Sequence, residues 1–139
     1  MTLSISSPDE LVAVIPHLLG FKPVESIVFL PMGSEIPVVR VDLPTTARDR
    51  DAGWRSISDA SSRFAKPGSS IAIVCLTADH EAATIVGHDF TARFEPVGID
   101  TRVMLWADET RWSDLHTGGI GLQTDAARER AATETVLTG

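Results

Sequence analysis

The sequence predicts a single α/β domain, in which a mixed sheet of about five strands packs against helices. Three observations support this fold class. A capped helical segment comes first, two short apolar segments follow it as a hairpin, and further apolar segments then alternate with helical ones. The chain has 139 residues, of which 43% are hydrophobic. This is the size of one domain with one core.

The first predicted helix begins at Pro8 and carries strong local signals. Ser7 suits the N-cap, Pro8 suits the first helical position, and Glu10 stands three residues after the cap, as a capping box requires. Apolar residues continue at helical spacing through the following turns. Pro16 lacks the amide hydrogen that would reach the carbonyl of Val12, so a kink or a restart of the helix is expected there.

Two short strands follow and are predicted to pair as an antiparallel hairpin. Residues 26–32 are apolar and of strand length, residues 32–35 suit a turn, and residues 36–43 suit the returning strand. Because side chains alternate along a strand, Arg40 and Asp42 should be neighbours on one face. We favour a structural ion pair between them. A polar ligand contact at the end of a strand is the other interpretation.

The rest of the chain alternates between helices and strands, which predicts right-handed parallel crossovers within a mixed sheet. The predicted segments are a helix over 45–66, a buried strand over 70–76, a helix that ends at Pro96, a strand over 101–106 and an edge strand over 110–113. Asp79 or Thr77 can cap the second of these helices. We therefore assign the domain to residues 1–115, with a Gly-rich loop and a helix or mobile tail over 116–139.

Composition argues against several classes of function. The 12 basic and 19 acidic residues give a net charge of −7, which opposes binding to nucleic acid or to an anionic membrane. The sequence shows no secretory signal and no apolar stretch near the roughly 20 residues that span a bilayer. The lone cysteine, Cys75, lies in an apolar run, so we expect a buried thiol and a reducing, cytoplasmic compartment.

Common catalytic motifs are absent from the sequence. It contains no phosphate-binding loop, no dinucleotide fingerprint and no nucleophile elbow. His80 and Glu81 begin a helical zinc-protease motif, but Thr84 stands where the second imidazole is needed. We therefore predict no catalytic residue, no metal site and no cofactor.

Polar residues near the predicted strand ends are candidate ligand contacts, because α/β sheets place ligands at the carboxyl ends of their strands. These candidates are Arg40, Asp42, Thr77, Asp79, His80 and Asp108. Trp106 and Trp112 flank a predicted hairpin and are candidate contacts with another chain, since aromatic side chains near an edge can anchor a partner. Core packing is the other interpretation of the two tryptophans.

Several short motifs occur in a specific order along most of the chain. They are Ser6-Ser-Pro-Asp-Glu-Leu11, Ile15-Pro-His-Leu-Leu-Gly-Phe-Lys-Pro23, Glu25-Ser-Ile-Val28, Val39-Arg-Val-Asp-Leu-Pro44, and later Gly98-Ile-Asp and Arg111-Trp-Ser. Their order resembles the DUF4192 family, which has no established activity and occurs in actinobacteria and their phages. The chain resembles the N-terminal half of that family, which would fit a shortened, phage-encoded version. The resemblance implies no catalytic residue.

The leading functional expectation is a non-enzymatic cytoplasmic domain for protein interaction or regulation, which binds a protein partner or a second copy of itself. It depends on the missing catalytic motifs, the acidic composition and the two candidate tryptophans. The alternative is an enzyme that binds a small molecule or a nucleotide at the carboxyl ends of the strands. A concave pocket in which the candidate polar residues converge would favour this alternative.

Overall fold

The computed structural model of the protein describes residues 8–32, 38–64 and 68–123, with side chains described outside 60–64. The described helices are α1 (Pro8–Leu19), α2 (Ala47–Phe64) and α3 (His80–Phe94), followed by a 3-10 helix over Glu95–Val97. The described strands are β1 (Ser26–Met32), β2 (Val39–Asp42), β3 (Ser70–Leu76), β4 (Asp100–Ala107), β5 (Arg111–Asp114) and β6 (Ile120–Leu122). The predicted α/β class with a mixed sheet is confirmed.

The six strands form one sheet in the order β2-β1-β3-β4-β5-β6. Strands β3 and β4 run parallel, and the other neighbouring pairs are antiparallel. This pattern brings the carboxyl ends of β2, β3, β4 and β6 to the same edge of the sheet as the amino ends of β1 and β5. We call this edge the carboxyl edge. It contains Ser26, Asp42, Leu76, Ala107, Arg111 and Leu122.

Helices pack on both faces of the sheet, and each face has its own core cluster. On the first face, Leu11 and Ile15 of α1 cluster with Val28 of the sheet. On the second face, α2 and α3 bring Ile57 and Phe90 to the cluster that contains Phe29 of β1. We call these the α1 face and the α3 face. Burial of such side chains stabilises the fold by about 1.5–3 kcal/mol each.

Helix α1 continues through Pro16 to Leu19, so of the two expectations at Pro16, a kink or a restart, the restart does not occur. Pro16 lies in the final turn, where the proline leaves a single carbonyl without its helical donor. The amide of Gly20 donates to the carbonyl of Pro16 at 2.9 Å and closes that turn. No described helix is both long enough and apolar enough to cross a membrane.

The sheet extends one strand further along the chain than the sequence predicts. Strand β5, expected at the edge, pairs with β4 on one side and with β6 on the other. Strand β6 is three residues long and lies within the region expected to be loop or tail. Gly121 of β6 lies opposite Trp112, and a Cβ atom at this position would overlap the indole ring. A strand of three residues with glycine at its centre is too short to show the alternation of apolar and polar residues that predicts a strand.

Several local predictions are confirmed. The hairpin of β1 and β2 is antiparallel, and Asp79 caps α3 through a hydrogen bond from the amide of Ala82 at 3.1 Å. The guanidinium of Arg40 donates to Asp42 at 2.7 Å. Cys75 is fully buried, and desolvation raises the pKa of its thiol to about 12. The hairpin turn over 33–35, Ser7 and the expected helix or tail after residue 123 lie outside the described residues.

Candidate functional site

A cavity of about 610 Å³ lies at the carboxyl edge, on the α1 face of the sheet. Its apolar wall comes from α1 and from the ends of β3 and β4. The wall residues are Val12, Ala13, Ile15, Leu76 and Ala107. Ala13 and Ala107 are small, so the wall leaves space between the helix and the strand ends. An apolar concavity of this kind is the usual form of a small-molecule site.

Two loops complete the cavity. One joins α1 to β1 and contributes Lys22, and the other joins β4 to β5 and contributes Glu109. The Lys22 ammonium donates to Oε2 of Glu109 at 2.5 Å, so a salt bridge connects the two loops. The two side chains are 64% and 70% exposed. Such a pair contributes only about 0–1 kcal/mol, so it can open readily.

Glu25 lies beside the cavity in an unusual backbone conformation. Its φ is +43°, and it is the one non-glycine residue with positive φ in the described part of the chain. The carbonyl of Glu25 accepts from the amide of Leu43 at 2.9 Å, and its Oε2 accepts from the hydroxyl of Thr77 at 2.7 Å. A non-glycine residue in this region costs about 1–3 kcal/mol, and the two contacts help to hold it there. The carboxylate is thereby fixed at the end of β3.

Thr77 is the buried polar residue on which this arrangement depends. Its hydroxyl donates to Glu25 and accepts from the amide of Asp79 at 3.1 Å. Its amide donates to the carbonyl of Ala107 at 3.2 Å, and its carbonyl accepts from Nε1 of Trp106 at 2.8 Å. All polar atoms of this buried residue are therefore paired, which restrains the position of the Glu25 carboxylate.

Asp108, at the end of β4, is held by its own loop. Its carboxylate accepts from the amides of Thr110 and Arg111 at 2.9 and 2.7 Å, and from Nη2 of Arg111 at 2.8 Å. Partial desolvation favours a higher pKa for Asp108, but these hydrogen bonds outweigh it and hold the pKa below its usual value. Gln123 donates to the Asp108 carbonyl at 2.6 Å, which connects the end of β6 to the same loop.

A second polar cluster lies at the carboxyl edge on the α3 face. The imidazole of His80 packs edge-on against Trp106, with ring centroids 5.0 Å apart, and its Nε2 is 3.4 Å from the hydroxyl of Ser113. The guanidinium of Arg111 lies 5.4 Å from the centre of the Trp106 ring. These contacts leave Trp106 only 5% exposed. The cluster therefore packs around the indole ring.

Two of the six candidate ligand contacts, Thr77 and Asp108, line the cavity. Asp79 and His80 lie at the same edge but belong to the start of α3 on the other face. The remaining two, Arg40 and Asp42, lie on β2, which is separated from β3 by β1.

The other predicted side chains have structural partners. Arg40 pairs with Asp42 and also donates from Nε to the hydroxyl of Ser26 at 2.8 Å. Of the two tryptophans, Trp106 belongs to the core of the α3 face, and Trp112 is partly buried against the cluster of the α1 face. The indole of Trp106 is thus buried in the core, and that of Trp112 is partly exposed.

Glu25 and Lys22 were not among the candidates, because both precede β1, whereas the candidate residues lie near the predicted carboxyl ends of strands. Since β1 is antiparallel to β3, its first residue, Ser26, pairs with Leu76 at the end of β3. The amino end of β1 thus lies at the carboxyl edge. A predicted pairing of β1 with β3 would have identified Glu25 as a site residue.

Comparison with known families gave a match over most of the chain. The family model DUF4192, described as a domain of unknown function, matches residues 8–139, which confirms the resemblance seen in the sequence motifs. No curated protein and no solved structure matches the chain. The chemistry of the site therefore has to be argued from its own geometry.

Proposed function

The protein belongs to the DUF4192 family, and we propose that it binds a small organic molecule in the cavity at the carboxyl edge. The cavity itself is the observation that carries this proposal. Its volume of about 610 Å³ lies within the range of about 300–1,000 Å³ that is typical of ligand sites. Its position also suits a ligand, since α/β sheets bind ligands outside the carboxyl ends of their strands.

The lining suits a molecule with an apolar body and a polar group. The wall formed by α1 and the ends of β3 and β4 supplies apolar contact, worth about 25 cal/mol for each Å² of apolar surface removed from water. Glu25 and Thr77 supply polar atoms whose positions are restrained by hydrogen bonds. The strained backbone at Glu25 also supports the proposal, because such strain is concentrated at functional sites.

Filling the cavity tests this proposal. Ala78 is exposed and lines the cavity, so Ala78→Trp should occupy it without disturbing the core. Ala92→Trp is the matched control, because Ala92 is an exposed alanine of α3 that is not part of the lining. We expect a small-molecule fragment library to shift amide NMR signals around the cavity in the wild type and in Ala92→Trp, but not in Ala78→Trp. Fragments that bind all three proteins alike would contradict the proposal.

Self-association is a second candidate function, and the exposed strand β6 favours it. Ile120 and Leu122 are 80% and 69% exposed, and β6 is the last strand of the described sheet. The unpaired backbone groups of such a strand can pair with another chain. We propose a second copy of this chain as the partner, since antiparallel pairing of two β6 strands would be symmetric.

Light scattering over a concentration series tests self-association. A dimer that dissociates on Leu122→Lys but persists on Val97→Lys would support pairing through β6, because Val97 is an exposed apolar residue outside the sheet. A strict monomer at all concentrations, or a dimer that does not dissociate on Leu122→Lys, would contradict self-association through β6.

We further propose that the domain acts in the cytoplasm of an actinobacterium or of a cell infected by an actinophage. The family resemblance supports the source, and the buried, unpaired thiol of Cys75 fits a reducing compartment. Fractionation of producing cells is the test. Recovery of the protein in the secreted fraction would contradict this location.

A further inference from the structure

Among the described residues, one of the three carboxylates that line the cavity has no cation as its partner. Of these acidic lining residues, Glu109 pairs with Lys22, and Asp108 pairs with Arg111. Glu25 is the third, and its carboxylate has the neutral hydroxyl of Thr77 as its partner. Among the described residues Glu25 forms no ion pair. A ligand with a single positive charge could pair with Glu25, as Lys22 pairs with Glu109 and Arg111 with Asp108.

We infer that the ligand of the cavity is a small organic cation, with an ammonium group on an apolar body, and that Glu25 binds the ammonium. This inference rests on the proposed function, because it specifies the ligand of the same cavity. Thr77 occupies Oε2 of Glu25, so Oε1 remains to accept a charge-assisted hydrogen bond. The apolar body would contact the wall that contains Ala13 and Ala107.

The restraint on Glu25 favours recognition by this residue. Its backbone is held by the amide of Leu43 and its side chain by the buried hydroxyl of Thr77. A carboxylate that is already positioned loses little conformational freedom when it binds a ligand, so more of the interaction appears as affinity. A surface glutamate without these hydrogen bonds would lose more conformational freedom when it binds the same ligand.

Other charged ligands fit the cavity less well. A phosphate group would be repelled by Glu25, and Lys22 is the one lysine or arginine among the described lining residues that could attract it. A metal ion needs several ligands close together, and in the described part of the chain no three His, Cys, Asp or Glu side chains are so arranged. An organic ammonium needs only one carboxylate and an apolar wall.

Three probes of similar size and different charge test the inference. We would titrate the protein with cyclohexylmethylamine, cyclohexylmethanol and cyclohexanecarboxylate at neutral pH and follow amide NMR signals. We expect all detectable binding to map to the cavity, with the amine binding about tenfold more tightly than the alcohol. The carboxylate should bind most weakly, because it carries the same charge as Glu25.

Glu25→Gln tests the residue itself. Glutamine keeps the shape and an oxygen that can accept from Thr77, but removes the charge. We expect the preference for the amine over the alcohol to disappear and the affinity for the alcohol to remain. Glu95→Gln is the control, because it removes an exposed carboxylate from the 3-10 helix and should leave the preference intact.

The outcomes separate this inference from the proposed function. If no probe binds, or if binding is unaffected by Ala78→Trp, the cavity is not a ligand site and both fail. If the alcohol binds in the cavity but the amine gains nothing, or keeps its preference in Glu25→Gln, the inference fails and the proposed function stands. A preference lost equally in Glu95→Gln would reflect overall charge and would also overturn the inference.

Discussion

The two faces of the sheet differ in how their helices fill the space above the strands. On the α3 face, Phe29 packs edge-on against Phe90 and Phe94, with ring centroids 5.3 and 5.8 Å apart, and Trp54 packs against Phe94 at 5.0 Å. On the α1 face, the described helix α1, which has 12 residues, covers the sheet with aliphatic side chains. The larger rings fill the α3 face, whereas alanines line the cavity on the α1 face.

The two faces of the sheet also differ in the ion pairs that their charged residues form. On the α3 face, Asp89 accepts from Arg50 and Arg93, and Arg93 also donates to Asp51, so a network of ion pairs connects α2 to α3. On the α1 face, two loops are connected by the exposed Lys22–Glu109 pair. We therefore expect the α3 face to contribute more to the stability of the fold than the α1 face, where the proposed ligand site lies.

The largest predicted effect is the loss of an aromatic ring on the α3 face. Phe90 is fully buried, so Phe90→Ala should lower the free energy of unfolding by about 3–5 kcal/mol. Urea denaturation followed by circular dichroism measures this change. The comparison predicts a much smaller loss for Ala78→Trp on the cavity side. Equal losses in the two variants would contradict the division of roles between the faces.

The ion network on the α3 face should make stability depend on pH. Desolvation favours a higher pKa for Asp89, but hydrogen bonds from Arg93 and Arg50 outweigh it and hold the pKa below its usual value. The side chain of Asp89 is 23% exposed, so Asp89→Asn should cost about 1.5–3 kcal/mol at pH 7.

The sign of this dependence follows from the direction of the shift. Because the folded state binds the proton less tightly than the unfolded state, the stabilisation is complete above the unfolded pKa of 3.8 and is lost as the pH falls through the folded value. Denaturation of wild type and Asp89→Asn at pH 7 and pH 3 measures it. The difference in stability between the two proteins should shrink at pH 3, and a constant difference would rule out the charge as its cause.

Local signals in the sequence predicted most of the helices and strands, but not the order of the strands in the sheet. The cap of α3 and the β1–β2 hairpin depend on neighbouring residues, so motifs such as Asp79 before a helix identify them. The pairing of β1 with β3 joins residues that are distant in the chain, and no local pattern specifies it.

The candidate site was likewise predicted only where it depends on local signals in the sequence. Thr77 and Asp108 follow β3 and β4, whose parallel arrangement was expected from the helix between them. Glu25 enters the site only through the β1–β3 pairing, and its positive φ is not visible in the sequence. Gly121 and β6 were missed because three residues carry too little periodicity to indicate a strand.

A moderate effect is expected at β6, which lies beside the polar loop of the cavity. Because a Cβ atom at position 121 would overlap the ring of Trp112, Gly121→Ala should cost about 1–3 kcal/mol through forced movement of the indole. Gly118→Ala is not a suitable control, since Gly118 has a φ of +80° that itself favours glycine. Gly119→Ala is better, because a Cβ atom at position 119 would come no closer than 3.4 Å to its nearest described neighbour, the Thr117 hydroxyl. Thermal denaturation should show a larger loss of stability for Gly121→Ala than for Gly119→Ala.

The smallest effect on stability is expected where the cavity loops meet. Lys22→Met removes the bridge to Glu109 but keeps the length of the side chain, and because both partners are exposed the loss should be only about 0–1 kcal/mol. Urea denaturation of the variant beside the wild type measures this loss. A large loss of stability would show that the bridge supports the fold, and the α1 face would then resemble the α3 face after all.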